Sequence, residues 1–154
     1  MNTSNKTQYG ASERAQKQPR LSVRNKNLET VPPLGGPLDI WRACADFRAE
    51  MREMFVVFYL DAAHRVILRE IISIGTLTES LVHPREVFRP AIANSAAAIV
   101  AAHNHPSGSS KPSHEDEAVT RRLAAAGRLL GVPLLDHVVV SATGHNSVSL
   151  GAAF

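Results

Sequence analysis

Two histidines, a serine and an aspartate stand close together in the middle of the sequence. His103 and His105 follow the apolar run 96–102, and Ser113 and Asp116 come after a Pro-Ser-Gly turn. Imidazole nitrogen and carboxylate oxygen are donors that zinc takes in proteins, and a catalytic zinc keeps three protein ligands and a fourth position for water. Because residues i and i+2 of an extended segment face the same side, both histidines can bind one ion. Asp116 is the third candidate ligand, so the pattern predicts an open metal site.

A helix cap is the competing explanation for half of this pattern. Serine at an N-cap with an acidic residue three positions later is typical of a helix start, and Ser113 and Asp116 have that spacing. On this interpretation His103 and His105 are only polar residues at the end of a strand. The combination of H-x-H, a preceding strand and Ser-x-x-Asp favours the metal site. Ser113 can still cap the helix while Asp116 binds metal.

A hydrolytic metal site also needs a group that takes a proton from water. Three glutamates outside the loop are candidates: Glu53 at the start of an apolar strand, Glu70 within a strand, and Glu86 in the first turn of a helix. An acidic residue at a helix start is favoured by the helix dipole alone. Spacing by itself does not choose among the three.

Helical and β-strand patterns alternate around these residues. Apolar residues at helical spacing predict amphipathic helices, and runs rich in β-branched and aromatic residues predict strands. Pro90 should kink or divide the second helix. The predicted helices cover about 38–52, 84–92 and 113–130, and the predicted strands cover 55–60, 65–74, 96–102, 134–140 and 147–150. The first two strands have the pattern of a hairpin, so we predict a three-layer α/β or α+β sandwich, with a mixed central sheet flanked by helices.

Length and composition fit one soluble domain. The chain has 154 residues, 44% of them hydrophobic and 20% charged, which supports one core rather than two. Cys44 is the only cysteine; it excludes an internal disulfide and is expected to be a small apolar residue on a helix. No apolar run approaches eighteen residues, and the N-terminus has no apolar signal segment. We therefore expect a cytoplasmic protein.

The first 37 residues differ from the rest. Residues 1–30 are polar and contain six lysines or arginines against two acids, with too few apolar residues to offset the entropy of ordering. The net positive charge of the chain arises from this segment. We predict that 1–37 is a disordered basic tail with a Pro/Gly linker and that 38–154 is the folded domain. A basic arm that touches nucleic acid or an acidic partner is the functional alternative.

The motifs together resemble a known metalloprotease family. His103-Asn-His-Pro-Ser-Gly108, followed by Pro112-Ser113 and Asp116, is similar to the JAMM signature (H-x-H-P, then S-x-x-D) of the JAB/MPN fold, and more narrowly to its RadC branch. The resemblance covers about 38–154. Five further segments match that branch: 52–55, 60–61, 75–77, 83–87 and 134–137.

This resemblance implies a fold and a set of residue roles. The fold would be JAB/MPN, which is cytidine-deaminase-like. His103, His105 and Asp116 would bind one zinc ion. Ser113 would help to hold the oxyanion of a tetrahedral intermediate, and Glu53 would be the general base.

The implied activity is that of a zinc metalloprotease, a hydrolase that cleaves an amide or isopeptide bond in a protein or peptide. Two residues of the matching segment 134–137 have open roles. Asp136 and His137 would either support a zinc ligand from behind or be structural, joined by a buried His–Asp hydrogen bond. Asn104, between the two histidines, is expected to donate to the loop or to the substrate.

Two other functions stay open. Proteins of the RadC branch usually carry a helix-hairpin-helix module, a DNA-binding element, before this domain, and residues 1–37 contain nothing similar. The link of the family with DNA repair is therefore weak guidance. The alternatives are a DNA-associated accessory protein of repair or of a mobile element, with a structural or vestigial zinc site, and a metal-dependent nuclease.

Overall fold

The computed structural model describes residues 31–75 and 82–149. Within these ranges the chain forms three helices and five strands. In chain order they are α1 (Pro37–Ala43), β1 (Met54–Leu60), β2 (Val66–Ile74), α2 (Pro84–Ala93), β3 (Ala98–Asn104), α3 (His114–Leu130), β4 (Leu134–Val140) and β5 (His145–Ser147).

One mixed sheet, in the strand order β2-β1-β3-β4-β5, forms the centre of the molecule. β1 is antiparallel to both β2 and β3, β4 is parallel to β3, and β5 is antiparallel to β4. The parallel pair is joined through α3, because parallel strands need a long crossover connection. The central strand β3 has a partner on each side, and His103 is paired with Phe55 of β1 and Val139 of β4.

Both faces of the sheet are covered, which places the core in two layers. One face packs against α2 and α3 and the other against α1 and the turns that follow it. The helical residues of the first layer include Val87, Phe88, Ala91, Val119 and Leu123. Next to the other face lie Ile40 of α1 and, from the turns after it, Cys44 and Phe47. All seven residues of β3 are buried. The predicted α+β sandwich with a mixed central sheet and flanking helices is confirmed.

The first helix is shorter than predicted. α1 ends at Ala43 instead of about residue 52, and the chain continues in hydrogen-bonded turns through residue 49. Phe47 lies in these turns, and its side chain is buried in the core. The carbonyls of Glu50 and Arg52 accept hydrogen bonds from Asn104, so this part of the chain follows β3 and not a helix axis.

Two strand boundaries also differ from the prediction. β3 extends through Asn104 instead of ending at residue 102, because β1 pairs with His103 and β4 pairs with both His103 and Asn104. The last strand, predicted at 147–150, is β5 at His145–Ser147. Its pairing with Val138–Val140 decides its position, and the sequence does not show that pairing.

Pro90 does not divide α2. A proline inside a helix removes the hydrogen bond to the carbonyl four residues earlier, here that of Glu86, and the helix nevertheless runs to Ala93. Pro90 is buried. Its own carbonyl accepts hydrogen bonds from the main-chain N–H of Asn94 at 3.0 Å and from that residue's Nδ2 at 2.8 Å. These contacts hold the last turn in place.

Several sequence predictions lie outside the described residues. They are the disordered tail 1–30, Thr76 and Leu77 of the segment 75–77, and Leu150 of the last strand. The division of the chain at residue 37 stays a prediction. Among the described residues, no helix has both the length and the apolar character needed to cross a bilayer.

Candidate metal centre

The end of β3 and the start of α3 bring three side chains to one point. Nε2 of His103 lies 2.9 Å from Oδ1 of Asp116 and 2.9 Å from Nε2 of His105. Nε2 of His105 lies 3.4 Å from Oδ2 of Asp116. Donors that share a tetrahedral zinc at bonds of about 2.0–2.1 Å are about 3.3 Å apart. The donor atoms of the three residues are therefore close to the spacing that one ion requires.

The loop after β3 fixes the ring of His105. The main-chain N–H of His105 donates to the carbonyl of Val140 at 3.2 Å, and Gly108, at φ 85°, allows the chain to turn back. Nδ1 of His105 lies 3.0 Å from the carbonyl oxygen of Ser109. A carbonyl only accepts, so Nδ1 carries the hydrogen and the lone pair of Nε2 faces Asp116 and His103.

Asp116 is held by the N-terminus of α3. Ser113 is the N-cap, and the two residues form a capping box: Asp116 N–H donates to Ser113 Oγ at 3.2 Å and Ser113 N–H donates to Asp116 Oδ2 at 2.6 Å. The predicted cap and the convergence on the histidines therefore coexist. Burial alone would raise the pKa of Asp116, but the hydrogen bond and charge of His103, together with the hydrogen bonds of Ser113, hold it well below its usual range.

Glu53, directly before β1, contributes a fourth side chain near the same point. Its Oε1 lies 4.0 Å from Nε2 of His103, and 19% of its side chain is exposed. One donor atom from each of Glu53, His103, His105 and Asp116 lies within 4.8 Å of the others. Glu53 is thus farther from His103 than the other two partners are, beyond direct hydrogen-bonding distance.

The segment that carries Glu53 is attached to β3 by Asn104. This side chain is fully buried; its Oδ1 accepts from the N–H of Met54 at 2.8 Å, and its Nδ2 donates to the carbonyls of Glu50 and Arg52 at 3.0 and 3.1 Å. The main-chain carbonyl of Glu53 accepts from Gly75 at 2.8 Å. The sequence led us to expect that Asn104 donates to the loop or to the substrate. Instead, its Nδ2 donates to the segment that carries Glu53.

His137 and Thr120 support the site from the core. Nε2 of His137 lies 2.8 Å from Nδ1 of His103, and its Nδ1 lies 2.6 Å from the hydroxyl of Thr120. Burial, and then the charge of His103, lower the pKa of His137 well below its usual value, so the ring is neutral. Of the two roles left open for Asp136 and His137, His137 has the one behind a candidate ligand. The carboxylate of Asp136 accepts from the main-chain N–H of His137 and from the hydroxyl of Ser147.

Thr120 belongs to none of the sequence motifs. It lies four residues after Asp116, and this spacing could have predicted that both residues lie on the same side of a helix. Its contact with His137 depends on how α3 sits over β4. The other two glutamate candidates are not in the cluster: Glu70 lies on β2 and Glu86 in the first turn of α2. Burial raises the pKa of Glu70.

The donor set fits a divalent cation. Two imidazoles and a carboxylate converge, a second carboxylate stands beside them, and the lone pair of His105 is directed inward. Without a cation or a proton between them, these groups would face one another with lone pairs and negative charge. Nitrogen and oxygen donors in a partly open site suit zinc.

Comparison with known proteins identifies the family. A family model for the RadC-like JAB domain matches residues 36–153. The chain belongs to the RadC-like JAB domain family. The resemblance seen in the motifs is thereby confirmed, and the mixed sheet with its three helices is consistent with a JAB/MPN-like fold.

Relatives of this RadC-like chain carry the name UPF0758, which states no activity. A UPF0758 protein of Rubrobacter xylanophilus is 58% identical over 123 residues, 79% of this chain and 53% of that protein. One of Symbiobacterium thermophilum is 56% identical over 95 residues, 62% of this chain and 41% of that protein. One of Methanosarcina mazei is 41% identical over 108 residues, which are 70% of this chain and 47% of that protein. The RadC-like chain spans about half the length of these relatives.

Proposed function

We propose that this protein is a zinc-dependent hydrolase of the JAMM type that cleaves an amide or isopeptide bond in a protein or peptide. The observation that carries the proposal is the convergence of His103, His105 and Asp116 with a second carboxylate, that of Glu53, 4.0 Å from one of them. Three donors with a carboxylate beside them supply metal ligands and a group that can take a proton, which together suit metal-assisted hydrolysis.

His103, His105 and Asp116 would hold the ion. When bound, zinc polarises the scissile carbonyl and lowers the pKa of a coordinated water to about 7. The carboxylate of Asp116 supplies negative charge and is itself oriented by the N–H of Ser113 at 2.6 Å. The ring of His105 is oriented by Ser109, so hydrogen bonds within the chain orient both of these ligands.

Glu53 is proposed as the general base. A base must reach the proton that it removes directly or through one water, and its distance from His103 places its carboxylate beside the ligand cluster. Glu53 takes a proton from the attacking water and delivers it to the leaving amine. Its partial exposure leaves the route to the substrate open.

Ser113 is proposed to stabilise the oxyanion that develops on the scissile carbonyl. Its hydroxyl oxygen accepts the hydrogen bond of the helix cap from Asp116. A hydroxyl has one hydrogen to donate besides the lone pairs that accept, so capping leaves that hydrogen for the substrate. The main-chain N–H of the same residue is engaged with Asp116 Oδ2 and takes no part.

Peptide-library profiling tests the proposal. The zinc-loaded wild type should cleave amide bonds, and Glu53→Gln should lose cleavage by a factor of about 100 or more while it keeps one zinc. Glu70→Gln, which changes a carboxylate outside the cluster, is the matched control and should cleave like the wild type. Cleavage of DNA but not of peptides would favour the nuclease, and full activity in Glu53→Gln would reject the base assignment.

A further inference from the structure

Behind His103, two buried side chains continue its hydrogen bonding into the core. Nδ1 of His103 is 2.8 Å from Nε2 of His137, and Nδ1 of His137 is 2.6 Å from Oγ1 of Thr120. The hydroxyl of Thr120 is in turn 2.6 Å from the main-chain carbonyl oxygen of Asp116. Thr120 and His137 are fully buried. The contacts thus join one candidate ligand to the main chain of another.

The direction of these hydrogen bonds can be deduced by starting from the carbonyl of Asp116 in α3. A carbonyl oxygen only accepts, and a threonine hydroxyl has one hydrogen, so the hydrogen of Thr120 lies on its contact with Asp116. The oxygen of Thr120 must then accept from Nδ1–H of His137. Among the described residues the ring of His137 hydrogen-bonds His103 and Thr120 and no carboxylate, so a charged His137 would be a costly buried cation. The neutral ring has one N–H, and its Nε2 therefore accepts from His103.

The direction can also be deduced from the metal end. A histidine that binds a metal through Nε2 needs its lone pair there, so its hydrogen is on Nδ1 and is donated to a neighbouring group. His103 would then donate from Nδ1 to His137, in the same direction as the one deduced from the carbonyl of Asp116. The two deductions are independent of each other, and they agree.

We propose that Thr120 and His137 are positioning residues that keep His103 in the tautomer whose Nε2 lone pair faces the metal. The inference rests on the proposed zinc site. Loss of the Thr120 hydroxyl frees Nδ1 of His137 from its acceptor. The ring can then carry its hydrogen on Nε2 and direct it at Nδ1 of His103, which places the hydrogen of His103 on the nitrogen that must bind the ion.

Nitrogen-15 NMR of the zinc-loaded wild type tests the direction of the hydrogen bonds without any variant. Long-range proton–nitrogen spectra should show His137 as the Nδ1–H tautomer with an unprotonated Nε2. A His137 that carries its hydrogen on Nε2 would overturn the proposal, even in a protein that binds zinc well.

Zinc affinity in a matched pair of variants tests the consequence. Thr120→Val removes the hydroxyl at nearly constant volume, and Thr120→Ser keeps it. Zn²⁺ titrated against a fluorescent chelator should give an affinity about 10–100-fold weaker for Thr120→Val, and the serine variant should restore the wild-type value. Circular dichroism verifies that each variant is folded, and a Thr120→Val that fails to fold leaves the decision to the tautomer of His137.

The outcomes separate the inference from the proposed function. If the wild type binds no zinc, the proposed metal site is wrong, and the positioning role of Thr120 and His137 is rejected with it. If the wild type binds zinc and Thr120→Val, folded, binds it equally well, the zinc site stands and the positioning role of Thr120 and His137 is rejected.

Discussion

The carboxamide oxygen of Asn104 accepts a hydrogen bond from the main-chain N–H of Met54 at 2.8 Å. Asn104 is the last residue of β3 and lies between the candidate ligands His103 and His105. Met54 directly follows the candidate base, Glu53. One buried side chain therefore sets the distance between the part of the site that would hold the metal and the part that would move the proton. This arrangement explains how residues some fifty positions apart in the chain reach one point.

Replacing Asn104 should disconnect the base from the metal. Asn104→Leu removes three hydrogen bonds and should lower the free energy of unfolding by about 1–3 kcal/mol. Because the ligands stand on β3, α3 and their loop, zinc should be retained, while kcat falls by about 100-fold, the cost of a displaced catalytic group. Zinc analysis, urea unfolding and peptide cleavage measure the three quantities.

Asn104→Asp is the informative companion. It keeps the acceptor for Met54 and replaces the two donors to Glu50 and Arg52 by oxygen. Its kcat should also fall with zinc in place. Wild-type kcat in Asn104→Leu, or a loss of zinc that matches the loss of kcat, would show that Asn104 does not position Glu53.

Stability and activity should separate at Ser113. Alanine at an N-cap costs about 1 kcal/mol, whereas glycine costs only a few tenths. Ser113→Ala should therefore destabilise the protein more than Ser113→Gly. Both variants lack the hydroxyl and should lose kcat by about 100–1,000-fold if it stabilises the oxyanion. Urea unfolding and cleavage kinetics on both variants measure the effect; a kcat that follows stability would mean that Ser113 only caps α3.

Asp116 should make the metal-free protein sensitive to acid. Its pKa in the folded state lies below its usual value, so the unfolded state takes up the proton first as the pH falls. The resulting stabilisation is complete above the unfolded pKa of about 3.9 and is lost as the pH falls towards the folded pKa. In chelator, the difference in unfolding free energy between wild type and Asp116→Asn should shrink as the pH falls below about 4. A difference that grows towards acid would contradict this sign.

Cys44 should be inert while the protein is folded. The residue is fully buried, and burial raises the pKa of its thiol far above the usual value, so the reactive thiolate is scarce. The thiol of Cys44 should react with a thiol reagent no faster than the protein unfolds. Full reactivity should appear only in denaturant. Rapid labelling of the native protein would place Cys44 at the surface and contradict the packing of α1.

The sequence predicted much of the fold because its signals are local. β4 and the start and end of α3 follow from an apolar run, an N-cap serine and a terminal glycine, and Gly131 indeed ends α3 at φ 71°. The convergence of His103, His105 and Asp116 also followed from spacing, since one short segment contains all three. Their roles as ligands stay a prediction, as do the cytoplasmic location and the basic tail.

The rest of the site was not predictable, because it depends on register between distant segments. Nothing local in Asn104 says that its amide will bond the carbonyl of Glu50, and nothing near His137 says that it will stand behind His103. His137 is paired with Ala101 across the parallel β3–β4 ladder. A shift of one residue in either strand would have turned these side chains to the opposite face.

Zinc stoichiometry tests the central claim most directly. Wild type, His103→Ala and Asp116→Ala are purified under identical conditions, exposed to Zn²⁺, separated from free ion and analysed by elemental mass spectrometry, with circular dichroism to verify folding. The account predicts one zinc per wild-type chain and none in the two folded variants. A wild type without zinc, or variants that retain one zinc per chain, would contradict it.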